Sequence, residues 1–396
     1  MESLEYFCKA ILKIKIFNNS KTLKGLVFLF LFTAFLFPAF TEEAVGRLVY
    51  RDGDLEVYRK GEALDWAQID LGMVLESYDL LETSKSSFAE VELTLPHTAG
   101  AFIKINENTA FYFDVKDLGS KKQTNFQILT GSMLFKVKQL TGSAEVIVRT
   151  ESTTLGVRGT EFLVTTAVDG SLLVTCTEGL VSCTDQKGRE FHAKPGIAVE
   201  TLSEGISRSI SLKAEEIDQY RESWLKTREE IFKTGAELFI KNYALRYLDS
   251  LPAFQRAYRN LIKHYPVLKN AGEDTQRFSQ STLIQIKSEV SPAIFEMRGI
   301  LPSFEHLFYR LEELEGYHRS GFGKSLIKRN YSSDDFFIEF LRIKKQVKIE
   351  MAIVRHMFHL FVQLDKGMFG DSMMEDIFGT SPIAPIGPPS PGFGGF

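Results

Sequence analysis

Near Leu212 the hydrophobic pattern of this chain changes period, and that change constrains its fold more than any other feature. Before it, apolar residues recur every second position. In Ala89-Glu90-Val91-Glu92-Leu93-Thr94-Leu95 the odd positions are apolar and the even ones polar, the pattern of a half-buried strand. Met133, Phe135 and Val137 alternate with lysines, and Val146 and Val148 with Glu145 and Arg149. Turn signals punctuate the run at Asp52-Gly53, Lys60-Gly61, Thr130-Gly131, Asp169-Gly170, Glu178-Gly179, Lys187-Gly188 and Pro195-Gly196. Short strands at this spacing predict an all-β unit over 45–205, a sandwich, a barrel or curled antiparallel sheets. Asp-Gly and Glu-Gly read as hairpin turns, because glycine takes positive φ without strain.

After Leu212 the spacing is helical. Ile217, Tyr220, Trp224, Ile231, Leu238 and Phe239 share a face of a helix from Ala214 to about Leu248. Pro252 reads as the start of a second helix ending near Pro266. Thr275 to Ile300 and Ser303 to about Gly316 read as two more. Ser332-Ser333-Asp334 is an N-cap signal before a long last helix carrying Ile338, Leu341, Ile349, Ile353, Phe358 and Leu364. Residues 212–378 are therefore expected to form an α-helical bundle of about five helices. The polar Ser203-Glu204-Gly205 segment marks the junction of two domains. Residues 379–396, Pro/Gly-rich and uncharged, read as a disordered tail.

The N-terminus has a different grammar. Residues 1–24 carry Lys9, Lys13, Lys15, Lys21 and Lys24 against Glu2 and Glu5. An uncharged run follows, Gly25 to Phe40, within a 25–44 segment that reads as a signal peptide or membrane anchor. Its sixteen residues are short for a bilayer span, which needs about 20, and Pro38 would end such a helix early. Phe37-Pro38-Ala39 puts a bulky residue where cleavage wants a small one, so removal and retention as an inner-membrane anchor both stay open. Either way the expectation is an exported, periplasmic chain, touching the membrane through 25–40 if uncleaved. With a net charge of -4, no basic excess points to nucleic acid.

One stretch is distinctive: Val157-Arg158-Gly159-Thr160-Glu161-Phe162-Leu163-Val164. It resembles the V-R-G-T-x-F-x-V step of the bacterial FecR domain. Other features follow in the family's order. Val45-Gly46-Arg47-Leu48-Val49 resembles its opening strand, and Leu80-Leu81-Glu82-Thr83 with Phe88 to Leu93 its centre. Leu129-Thr130-Gly131-Ser132-Met133-Leu134-Phe135 resembles its L-x-G-x-L, Val174 to Val181 its V-x-V-x-E-G-x-V, and Pro195-Gly196 its close. The resemblance covers 45–205 and implies protein-protein contact in the envelope, often within signal transduction. Classical members carry a cytoplasmic anti-sigma domain before one membrane span. Here about 24 residues precede the apolar run, too few to fold around a sigma factor. Within the motif Val157, Gly159, Thr160 and Phe162 read as structural, with Gly159 at a tight turn and Arg158 as a local hydrogen-bonding brace. The rival reading makes Arg158 a partner contact.

Three cysteines occur in 396 residues, Cys8, Cys176 and Cys183, so this is no disulfide scaffold. Across a two-residue hairpin loop Cys176 would face Val181, with Cys183 its diagonal neighbour, slightly long for a bond. A wider loop would set the two opposite each other. Cys176–Cys183 is thus a candidate disulfide in an oxidising compartment, and two small buried side chains the alternative.

No catalytic, metal or cofactor motif completes itself. Gly321-Phe322-Gly323-Lys324-Ser325 ends like a phosphate loop, but the required first glycine is His318 and no strand precedes it. His356 and His359 share a helix face without a third ligand and read as packing residues. Ser223-Trp224-Leu225-Lys226 fits S-x-x-K by letters alone. The expectation is a non-enzymatic envelope protein using its β module for protein binding or scaffolding. The alternatives are a single-span signal relay, and an envelope enzyme with its site in the helical half.

Overall fold

The computed structural model describes residues 44–369 except 97, 99, 119–120, 138–144 and 158. The lysine-rich segment, the apolar run, Cys8, Arg158 and the 379–396 tail lie outside the described residues. Strands in chain order are β1 (Gly46–Asp52), β2 (Leu55–Arg59), β3 (Glu62–Ala63), β4 (Val74–Leu75), β5 (Leu80–Thr83), β6 (Phe88–Leu93), β7 (Phe102–Ile105), β8 (Ala110–Leu118) and β9 (Lys121–Thr130). They continue with β10 (Ser132–Lys136), β11 (Glu145–Arg149), β12 (Thr153–Val157), β13 (Glu161–Thr166), β14 (Leu172–Glu178), β15 (Val181–Asp185), β16 (Glu190–Ala193), β17 (Ile197–Thr201) and β18 (Ser207–Ser211).

These strands form two nine-stranded sheets. Sheet A runs β18-β17-β14-β13-β10-β7-β6-β1-β4, and sheet B runs β16-β15-β12-β11-β9-β8-β5-β2-β3. Pairing is antiparallel except between β9 and β11, because β10 crosses to sheet A between them. Alternation decides which side chains lie between the sheets. Ala89, Val91 and Leu93 of β6, Met133 and Phe135 of β10, and Val146 and Val148 of β11 are buried there together, as the period-two reading expects. A ladder of rings lines this core: Phe113 against Phe126 at 6.2 Å, Phe126 against Phe135 at 5.2 Å, and Phe135 stacked on Phe162 at 4.9 Å.

The turn reading needs a correction. Lys60-Gly61, Asp169-Gly170 and Lys187-Gly188 do join paired strands. Asp52-Gly53, Thr130-Gly131 and Glu178-Gly179 do not close hairpins. They carry the chain from one sheet to the other. Glycine supplies the same positive φ in both settings, so the dipeptide marks a sharp bend without saying where the next strand pairs.

The strands of the two sheets end at Ser211, and the helical half begins at Ala214. Among the described residues four α-helices follow: α1 (Ile217–Leu261), α2 (Tyr265–Glu273), α3 (Gln280–Arg319) and α4 (Ser333–Phe369). A small hairpin of β19 (Leu326–Lys328) and β20 (Tyr331–Ser332) separates the last two. The proline boundaries read from the sequence are wrong. α1 continues through Pro252, and α3 through Pro292 and Pro302. An interior proline costs about 3 kcal/mol, and burial of the flanking turns outweighs it. Phe254, just after Pro252, stacks on Phe304, just after Pro302, with ring centroids 4.2 Å apart and planes within 6°. Tyr247 stacks on Phe304 at 5.5 Å. Each such ring contributes about 2 kcal/mol by burial. Pro266 begins α2 instead of ending its predecessor. The Ser332 cap forms as expected: its hydroxyl accepts from Asp335 N at 3.1 Å, and Asp335 Oδ2 accepts from Ser332 N at 2.9 Å.

The helices pack on the outer face of half of sheet B. Tyr58, Leu80, Ala110, Tyr112 and Leu129 belong to the same apolar cluster as Phe304, Phe308, Met351 and Phe361 of the helices. The start of α1 lies instead on sheet A, where Trp224 joins Leu173 and Ala198.

Candidate functional site

The V-R-G-T step is one of two corners that stack on each other. Val157 ends β12 in sheet B with its side chain in the core, and β13 restarts in sheet A at Glu161. Gly159 between them has φ +60°. The Thr160 carbonyl accepts from Val137 N at 2.9 Å, and Phe162 enters the ring ladder. Gly179, at the second corner, has φ +84°, and a Cβ there would stand 2.6 Å from both the Gly159 carbonyl oxygen and Thr160 Cγ2. The glycines of V-R-G-T and of E-G thus form a single tertiary contact, close enough to exclude a side chain.

That geometry relocates the cysteines. Cys176 lies on β14 of sheet A opposite Phe162, and Cys183 on β15 of sheet B opposite Leu155. They sit on facing sheets, not across a hairpin. Both are buried free thiols. Burial pushes the Cys176 thiol up to about 11 and the Cys183 thiol to about 12, which suppresses the reactive thiolate. Alkylation of the native chain at about pH 8, mapped by mass spectrometry, should leave both unmodified, and unfolding without reductant should expose both. Native labelling would contradict the burial, and silence after unfolding would reveal a bond between them.

The most unusual chemistry lies where sheet B meets the helices. Lys348 of α4 is 4% exposed, and its Nζ donates to Glu82 Oε2 of β5 at 2.7 Å and to Glu312 Oε1 of α3 at 2.9 Å. Lys344 also pairs with Glu312. Two carboxylates and two lysines therefore clasp three elements. Burial, then repulsion from Glu312, pushes the Glu82 carboxyl up to about 7, although Lys348 opposes the shift. Further along the seam, Arg355 of α4 pairs with Glu305 of α3; the two side chains are 1% and 0% exposed. The Arg355 guanidinium also lies 5.3 Å from the centre of the Tyr112 ring. Burial raises the Glu305 carboxyl in spite of that partner. Arg310 reaches back to the β13–β14 turn, donating to the Ala167 carbonyl at 2.8 Å and to Glu313 at 2.5 Å. A separate cluster fixes α1 to sheet A: buried Glu200 accepts from Trp224 Nε1 at 2.6 Å and from Arg208 at 2.6 Å.

Sequence reasoning missed all of these, since most of the pairs join residues far apart in the chain. A signal existed at Arg355, whose neighbours Met351, Ala352, Ile353, Val354, Met357 and Phe358 are all apolar. The residues it did weigh are used for packing. His356 meets the Tyr265 ring at 5.9 Å and His359 the Tyr78 ring at 5.9 Å. Ser223 Oγ donates to the Tyr220 carbonyl within α1. Gly323 lets its loop lie on α1, where a Cβ would be 2.5 Å from Ile240 Cδ1. Among the described residues no group of three or more His, Cys, Asp or Glu could hold a metal ion, and no helix is long and apolar enough to cross a membrane.

The comparisons bear on the stacked corners directly. Residues 79–182 match the FecR protein family. The FecR match begins in front of β5 and ends in β15, so it spans the ring ladder, both corners and Cys176, and stops one residue short of Cys183. It leaves out β1 to β4, β16 to β18 and every helix. Two crystal structures of a candidate anti-sigma factor from Parabacteroides distasonis ATCC 8503 are similar, each at 17% identity with a TM-score of 0.30. Each similarity covers 36% of this chain and 63% of the other. No curated protein matches the chain.

Proposed function

We propose that this chain is a non-enzymatic, exported envelope protein whose FecR-like β module binds a protein partner in a regulatory or signalling role. The observation that carries the reading is the FecR match over 79–182. The lysine-flanked apolar run before Ala44 supports export. The buried charges support a scaffold more than a catalyst, since Glu82 pairs with Lys348 and Glu305 with Arg355 across the seam. In this reading 45–205 and 212–378 act as two domains joined through the seam, and the partner meets a sheet face the helices leave open. Phe102 on sheet A and His192 on sheet B are exposed there.

Two measurements test this. A reporter active only after export, fused to the C-terminus, should be active; a well-expressed but inactive fusion would refute export. Photo-cross-linking residues at Phe102 and His192, in cells carrying their native envelope, should give a discrete adduct from at least one face. Adducts from neither would count against the β module as the binding unit.

A further inference from the structure

We propose that the Glu82–Lys348–Glu312–Lys344 cluster is a proton-operated clasp that tightens the helical layer onto sheet B on acidification and loosens it as the medium turns alkaline. It rests on the structure alone and stands whether or not the β module binds a protein.

Glu82 projects from β5 into the seam, next to Ala110 of β8. From α4 it faces Lys348, and through Glu312 it is linked to Lys344. From α3 it faces Glu312 and the Tyr309 hydroxyl. From β2 it faces Glu56, which accepts from the Tyr58 hydroxyl at 2.8 Å. The Lys348 ammonium lies 5.8 Å from the Tyr58 ring centre and 5.5 Å from that of Tyr309. Glu82 therefore has one strong cationic neighbour against two carboxylates, in a site mostly closed to water. Opening the seam would return it to solvent.

The direction follows from linkage. The closed state holds a proton on Glu82 up to about pH 7, and the ordinary carboxyl value is 4.5. Closure thus takes up a proton between those values. Its contribution to closure is fully present below the ordinary value and is lost as pH rises through about 7. Acid favours the closed seam. This is the reverse of an exposed salt bridge, which acid breaks. Glu305 and Glu313, also raised by burial, act in the same sense.

The clasp can be read at Ala110, a small buried seam residue beside Glu82. In Ala110→Cys, the labelling rate of the new thiol, corrected with the unfolded chain for thiolate fraction, gives the seam's opening constant. Glu82 retains 19% side-chain exposure, so solvent screens part of its burial penalty. The opening constant should rise about fourfold between about pH 6 and about pH 8.5. Cys176 and Cys183, between the sheets, should show no such rise. Glu82→Gln should remove most of the dependence. Glu312→Gln relieves repulsion and should move its midpoint to lower pH. A pH-independent opening constant, or one whose dependence is undiminished in Glu82→Gln, would overturn the clasp. Should Ala110→Cys fail to fold, thermal unfolding decides. Wild type should lose stability relative to Glu82→Gln as pH rises from about 5.5 to about 8.5, and parallel curves would refute the proposal.

Discussion

Replacing Glu305 by alanine should lower the stability of the chain by about 3–5 kcal/mol, the usual effect of stranding one member of a buried ion pair. The loss is less that of an attraction than the exposure of Arg355 to an uncompensated low-dielectric site. Arg355 is 1% exposed, and the neighbouring Tyr112 ring supplies only a partial counter-charge. Water could reach the guanidinium only by parting α4 from sheet B. The double variant Glu305→Leu with Arg355→Met should recover most of the loss, because apolar residues of similar volume often replace buried pairs at no net cost. Urea midpoints of the three proteins make the comparison. If Glu305→Ala unfolds like wild type, the pair is not closed to water. If the double variant is as unstable as the single one, packing and not charge was lost.

Gly179→Val should be comparably damaging, for a steric reason that one matched control isolates. Its left-handed φ alone costs a β-branched residue about 1–2 kcal/mol. The new Cβ would also meet the Gly159 carbonyl oxygen at 2.6 Å, a backbone atom held by the facing corner. Relief requires one sheet-to-sheet corner to move off the other, so the total should exceed about 3 kcal/mol. Gly188, at the tip of the β15–β16 hairpin, shares the backbone preference with φ +74° but has nothing within 4 Å. Gly188→Val should therefore show only the conformational part, about 1 kcal/mol. Equal losses at the two positions would mean that the corners do not bear on each other. Gly159→Val carries the same left-handed backbone cost, at φ +60°, and should lower stability by about 1–2 kcal/mol.

What the sequence determined was everything set by local period. Alternation placed Ala89, Val91, Leu93, Met133, Phe135, Val146 and Val148 in the sandwich core. The switch after Leu212 placed the helices, and the Ser332 cap was legible because its hydrogen bonds close within three residues. Tertiary structure decided what depends on a distant partner. Whether a glycine bend closes a hairpin, as at Asp169-Gly170, or crosses between sheets, as at Glu178-Gly179, depends on which sheet the next strand joins. Whether Pro252 and Pro302 end a helix depends on Phe254 and Phe304 meeting across two helices. Lys348 looks like any helical lysine until Glu82, 266 residues away in sequence, comes within hydrogen-bonding distance. Local pattern reports how a segment is paced and, in the strands, which side it buries; in the helices Ile231, Leu238, Ile338 and Leu341 have the spacing of an apolar face and are exposed. The pattern carries no record of the charge that waits on the other side, because electrostatic pairing acts through space and not along the chain.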